Sequence, residues 1–305
     1  MMKTIFRILA ISFLLGSFTN LPARSQSIEK SFKTPPVTAR PYTWWHWVNG
    51  NVSKEGITRD LETMKSVGIG GFQIFDGGLG IIQGPVIYNS DKFHEMTAFA
   101  FSEAERLGLD GGFNNASGWS STGGPWVMPE NSMKMLVWSD TIVQGAKSVK
   151  MKLAFPEIKN DRYGKRKMPD KSNFYREVVV LAFPTPQDTT LLENWKDKTL
   201  YSCYDAKPNK FVPSLKQTPE NAVIQLSKVI NISKSMDADG NLDWVAPSGS
   251  WTILRIGYTT TGTTNRPGSK NAIGLEIDKL SRKAMDIHWE NLISKLLPMQ
   301  KEGKV

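Results

Sequence analysis

Between Tyr42 and Phe113 the apolar residues switch period, from the two-residue alternation of strands to helical spacing and back, and few architectures accept that rhythm. Tyr42 to Val48 reads as a strand. Ser53 then precedes Gly56, and Ile57, Leu61, Met64 and Val67 recur at helical spacing before Gly68, a natural C′ residue. Ile69 to Phe75 is a second strand, running into Asp76-Gly77-Gly78. Ser90-Asp91 opens a second helix that carries Phe93, Met96, Phe99, Ala100, Ala104 and Leu107 on one face, and Gly108 closes it. Leu109 to Phe113 is a third short strand, followed by Asn114-Asn115-Ala116-Ser117-Gly118-Trp119. Strands alternating with helices in this way build βα units on a parallel sheet.

The rhythm breaks after residue 132. From 133 to 265 the chain reads as short β-runs punctuated by Pro, Gly, Asn and Asp: Leu136 to Val143, Tyr175 to Phe183, Ala222 to Leu226 and Trp251 to Tyr258. Their spacing predicts a small β-sandwich-like insert. Residues 266–305 return to the first pattern. There Asp278 is positioned to cap a helix from Lys279 to Leu297 that turns Leu280, Ala284, Ile287 and Leu292 inward, with Pro298 beyond it.

Ahead of the first strand, residues 1–25 place Lys3 and Arg7 before a short apolar run and end in Pro22-Ala23-Arg24-Ser25, the order of a cleaved secretory signal. Residues 26–40 are a linker. The apolar run is shorter than the roughly 20 residues a membrane span needs, so export to the periplasm or exterior without a stable anchor is expected. Cys203 is the sole cysteine of 305 residues, which excludes a disulfide framework and a thiolate metal cluster. The net charge of +9 falls further once Lys3, Arg7 and Arg24 leave with the signal, too mild an excess to argue for nucleic acid. The densest basic run, Lys165-Arg166-Lys167, sits in a Pro- and Asp-bearing stretch that reads as a solvated loop.

Chemistry in parallel α/β folds gathers where strands end, because loops there vary over a rigid sheet. The first strand delivers Trp44, His46, Trp47, Asn49 and Asn51, the second Gln73 and Asp76, and the third Asn114, Asn115 and Trp119. Indole faces suit the C–H faces of sugars, and amides and imidazole hydrogen-bond hydroxyls, so these residues are the candidate substrate-binding set. A buried aromatic cluster with Asn and Gly placed for turn geometry is the competing reading. Convergence of three strand ends favours the pocket.

Acid–base cleavage of a glycosidic bond takes two carboxyl groups, roughly 5 to 5.5 Å apart for retention and 6.5 to 9.5 Å for inversion. No such pair is evident. Asp76 is the best-placed acid, Asp110 opens a strand at its wrong end, and Glu103 and Glu105 lie on the solvated side of a helix. His46, His94 and His288 lack metal-ligand spacing, Gly77-Gly78-Leu79-Gly80 lacks the lysine of a phosphate loop, and Asn115-Ala116-Ser117-Gly118 is not a nucleophile elbow.

Four runs, taken in order, resemble a known family. Trp44-Trp45-His46-Trp47-Val48-Asn49-Gly50-Asn51, Gly56-Ile57-Thr58-Arg59-Asp60-Leu61, Gly68-Ile69-Gly70-Gly71-Phe72-Gln73-Ile74-Phe75 and Asn114-Asn115-Ala116-Ser117-Gly118-Trp119 are similar to the N-terminal part of the α-L-rhamnosidases of glycoside hydrolase family 106, with a weaker likeness through Gly274 to Asp278. The resemblance implies that residues 41–132 begin a (β/α)8 TIM-type barrel and that the substrate is a rhamnose-containing plant glycan. It also implies an inverting, calcium-dependent hydrolase, with calcium ligands that this sequence does not identify. Members of that family are far longer, and their acid and base lie on later strands, so no catalytic residue carries over. What remains after leader and insert is well short of the roughly 250 residues of a whole barrel. An N-terminal fragment with an open sheet edge is therefore the expectation, and a non-catalytic carbohydrate-binding protein stacking sugars on Trp44, Trp47 and Trp119 is the alternative.

Overall fold

Alternation along β1 (Tyr42–Val48) sends Trp45 and Trp47 to one side of the sheet and Trp44 and His46 to the other. The computed structural model describes residues 28–156, 174–188 and 219–302. The 1–25 leader, the run Lys165-Arg166-Lys167 and Cys203 lie outside the described residues. A short helix α1 (Ile28–Lys33) precedes β1, which pairs in parallel with β2 (Gly71–Gly77), and β2 pairs in parallel with β3 (Asp110–Phe113). The order is β1-β2-β3. Between them run α2 (Lys54–Ser66), whose Ser53 cap accepts from the Gly56 amide, and α3 (Asp91–Leu107), capped by Ser90 and ended by Gly108 at φ 60°. Ile57 and Leu61 of α2, Phe93, Met96, Ala100 and Ala104 of α3, and Trp45, Trp47, Phe72 and Ile74 of the sheet form one buried core.

Two strands begin later than their apolar runs do, for a single reason. The Ile69 amide closes α2 by donating to Met64, and the Leu109 amide closes α3 by donating to Ala104, so neither residue is free to join the ladder. The sheet is open, with β1 and β3 as its edges, and it does not close into a barrel. Three strands cannot satisfy the curvature that closure demands. The fold seen is mixed α/β.

The insert holds β4 (Lys134–Gln144), β5 (Lys147–Lys152), β6 (Tyr175–Pro184), β7 (Ile230–Asn231), β8 (Asn241–Ala246) and β9 (Ser250–Thr260). An antiparallel sheet ordered β4-β9-β6-β7 faces the β5-β8 pair across a shared core that includes Val149, Val180, Ala182, Leu242, Trp244, Trp251 and Ile253. The strand expected at 222–226 is absent. Tight turns closed by Val223 N to Glu220 O and Val229 N to Leu226 O occupy that stretch instead and leave Val223, Ile224 and Leu226 exposed. Strands β5 and β8 had no counterpart in the sequence reading, because their outward residues are lysines and acids that mask Val149, Leu242 and Trp244.

The last helix also differs from expectation. Asp278 caps no helix: it makes a tight turn by accepting from the Leu280 amide and pairs with Lys134 at 3.1 Å, while Ser281 caps α4 (Arg282–His288) by accepting from Ala284. Leu280 stands fully in solvent as a result. A π-helical turn (Trp289–Ile293) joins α4 to α5 (Ser294–Glu302), and Pro298 lies inside α5 rather than past its end. Ala284 and Leu292 are buried as anticipated. Among the described residues no helix is long and apolar enough to cross a membrane.

Candidate functional site

Because parallel partners share a face, register alone puts Gln73 beside Trp44 and Phe75 beside His46 on the side of the sheet away from the helices. Trp119 reaches the same face from the loop after β3. Phe75 is buried and acts as the floor: the Trp44 indole stacks on it at 5.4 Å and 17°, Trp119 leans on it at 5.0 Å, and the His46 ring lies 5.1 Å away. Trp44 and Trp119 meet at 5.1 Å, yet they remain 52% and 59% exposed, so each keeps an open ring face. No hydrogen bond engages the Gln73 amide among the described residues. The arrangement offers apolar ring faces bordered by an imidazole and an unengaged amide, which suits a sugar's C–H face and hydroxyls. Phe75 escaped the sequence reading, although counting by two from Gln73 would have found it.

The other candidates are placed differently. Trp47 is 1% exposed on the helix side, edge-on to Trp45 and Phe93, and offers no ring face to a ligand. Asn49 takes φ 49°; its amide donates to the Ile81 carbonyl, and its own carbonyl accepts from Gly84 N and Gln83 Nε2. Asn51 donates to Val48 and Ile82 carbonyls at 3.0 and 2.9 Å. Both therefore brace the 77–86 loop. Asn114 shapes its own loop by donating to the Ala116 and Gly118 carbonyls, and Asn115 projects into solvent.

Asp76 lies on the helix side, paired in register with Trp47, and is 4% exposed. Its Oδ2 accepts from Ser117 Oγ and, at 3.1 Å, from Ser269 Oγ, while the Ser269 amide donates to Ser117 Oγ at 3.1 Å. Asn265, fully buried, donates to the Ser117 carbonyl at 3.0 Å, and Trp119 N donates to the Arg266 carbonyl at 2.7 Å. This knot ties the loops after β2 and β3 to the 265–269 segment and so fixes the loop that carries Trp119. Burial raises the Asp76 carboxyl above its ordinary range, only partly offset by the serine donors. Ser117, Asn265 and Ser269 are all buried, and their burial is what reveals the knot.

His288 anchors the same loop from α4. Nε2 donates to the Asn115 carbonyl at 2.9 Å and Nδ1 accepts from Trp126 Nε1 at 3.3 Å, which specifies a neutral ring. Burial holds its pKa below the usual value. The unfolded imidazole, near 6.5, takes a proton before the folded one does. Its stabilising contribution is therefore present above about pH 6.5 and lost as pH falls through the folded value. Urea midpoints of the wild type should drop between pH 7.5 and pH 5.5, with a smaller drop in His288→Gln; equal drops would clear His288 of this role.

Fold and aromatic face together define the class, an α/β protein with an open aromatic face on the side of its parallel sheet away from the helices. The chain belongs to glycoside hydrolase family 106, whose sequence model, described as alpha-L-rhamnosidase, matches residues 33–303. It is 41% identical over 295 residues to a Formosa agariphila protein named "Putative beta-glucuronidase", covering 94% of this chain and 24% of that one. The solved rhamnosidase from Novosphingobium sp. PP1Y superposes with a TM-score of 0.69 at 28% identity, over 90% of this chain and 38% of that one. The chain thus spans well under half the length of either relative.

Calcium takes six to eight oxygen ligands. Among the described residues no three His, Cys, Asp or Glu side chains converge.

Proposed function

We propose that this chain forms the sugar-facing wall of an exported glycoside hydrolase that releases terminal α-L-rhamnose from plant glycans with inversion. The observation that carries the reading is the open face of Trp44 and Trp119 over Phe75, with His46 and Gln73 beside it. A deoxy sugar presents a methyl group and C–H faces to such rings, whereas a uronate would need a cation there. Inversion requires an acid and a base on opposite sides of the sugar. Asp76 is held in the buried knot on the other side of the sheet, so in this reading both groups come from segments that the relatives have beyond the region spanned here.

Residues 26–305 should bind L-rhamnose in calorimetric titration without hydrolysing an aryl α-L-rhamnoside or an aryl β-glucuronide. Trp44→Ala should weaken binding roughly tenfold, the loss of one stacking face. Turnover by residues 26–305 alone would sink the proposal, as would rhamnose binding indifferent to Trp44. The engagement of Asp76 inside the knot also favours a second reading, non-catalytic carbohydrate binding. Adding the remaining segment of the Formosa agariphila relative separates the two, because turnover returns only under the first.

A further inference from the structure

The insert carries a second concavity that shares no residue with the aromatic face. It is an open groove of about 570 Å³ beside β5, β8 and the turn at Ser233–Ser235, lined by Lys150, Lys152, Lys234, Asp237 and Asp243 with Met151 and Met236. A six-stranded sandwich could have closed this space with apolar residues, but three lysines line it.

The charges do not cancel within the groove. Lys150 is neutralised by Asp243, 3.0 Å from its Nζ. Asp237 is occupied by its own turn: Oδ1 accepts from the Asp239 and Asn241 amides at 2.9 and 2.8 Å, and Oδ2 from Asn241 Nδ2 at 2.9 Å. Among the described residues neither Lys152 nor Lys234 has an ion pair. Three ammonium groups thus line the groove against two carboxylates, Asp237 and Asp243, and Lys152 and Lys234 are the two lysines without an ion pair; Met151 and Met236, which pack on the sandwich core, give it an apolar floor.

We propose that this groove binds an acidic glycan, with Lys152 and Lys234 holding the carboxylate or sulfate of one sugar residue while its C–H face rests on the two methionines. An ammonium on a flexible stem is a point charge that accommodates either anion. Single-stranded nucleic acid is disfavoured because no aromatic residue lines the groove to stack a base. The inference does not depend on the reading of the aromatic face.

Affinity electrophoresis of the full chain tests it, with polygalacturonate, its fully methyl-esterified form, dextran sulfate and duplex DNA as probes. The acidic glycans should retard the protein and the ester should not; which of the two retards it more identifies the anion. Lys152→Glu combined with Lys234→Glu should weaken that binding roughly tenfold. Lys147→Glu, on the same strand but outside the groove, is the control for bulk charge and should change it by under about twofold. Equal weakening by the Lys147 variant, equal retardation by DNA, or no difference between acid and ester would overturn the assignment.

Discussion

Asp76→Ala should lower stability by about 3 kcal/mol, read as a shift of the urea midpoint, because two buried hydroxyl donors lose their shared acceptor. Ser117 Oγ and Ser269 Oγ both donate to this carboxylate, the Ser269 amide in turn holds Ser117 Oγ in place, and burial bars water from replacing the lost acceptor readily. Asp76→Asn keeps an acceptor oxygen in the same place, and the two hydroxyls can rotate to suit its amide, so its cost should stay near or below about 1 kcal/mol. The two variants also differ in pH dependence. With the folded pKa raised, the wild-type contribution is fully present below the unfolded value, near 3.9, and fades as pH rises through the folded value. Asparagine has no such slope, so Asp76→Asn should gain on the wild type as pH rises from 4 to 8. If asparagine proves as damaging as alanine at every pH, the charge itself holds the knot and desolvation is not the dominant effect. In Asp76→Ala the Trp119 loop loses its anchor, and the proposed rhamnose binding should fall with it although Asp76 lies buried on the opposite side of the sheet from Trp119.

The βα frame was legible because each helix begins at a serine cap, ends at a glycine and buries one periodic stripe, so local and global signals agree. The sandwich was half legible. β4, β6 and β9 announce themselves by β-branched and aromatic runs, while β5 hides Val149 among Lys147, Ser148 and Lys150. At the site, parity decided what the aromatic run means. Trp44 and His46 face out and Trp45 and Trp47 face in, which follows from period two once the helix side is known; tryptophan content alone cannot tell the faces apart. The amides misled for a physical reason. Asn49 at positive φ, Asn51 and Asn114 all spend their donors on backbone carbonyls, and nothing in a single sequence distinguishes an asparagine that braces a loop from one that meets a hydroxyl. The knot around Asp76 depended on Ser269, 193 residues away, a contact beyond any local pattern.

Gly50→Ala should be among the most damaging substitutions in the frame, at about 3 kcal/mol or more. Gly50 holds φ 67°, a region in which a Cβ costs roughly 1 to 2 kcal/mol by itself. An added Cβ would also run into the Val86 carbonyl, part of the backbone of a loop already tied to Gly50 by the Val86 amide at 3.2 Å. Backbone cannot swing aside as a side chain does, so overpacking adds about 1 to 3 kcal/mol more. Gly80 supplies the comparison. It sits at φ 71° on the same loop with nothing within 4 Å of a built Cβ, so Gly80→Ala should show the conformational cost alone. The difference between the two urea midpoints measures the clash; equal midpoints would mean that the loop yields freely. That outcome would also undo the bracing role of Asn49 and Asn51, since a loop able to move away from Gly50 would take the Ile81 and Ile82 carbonyls with it.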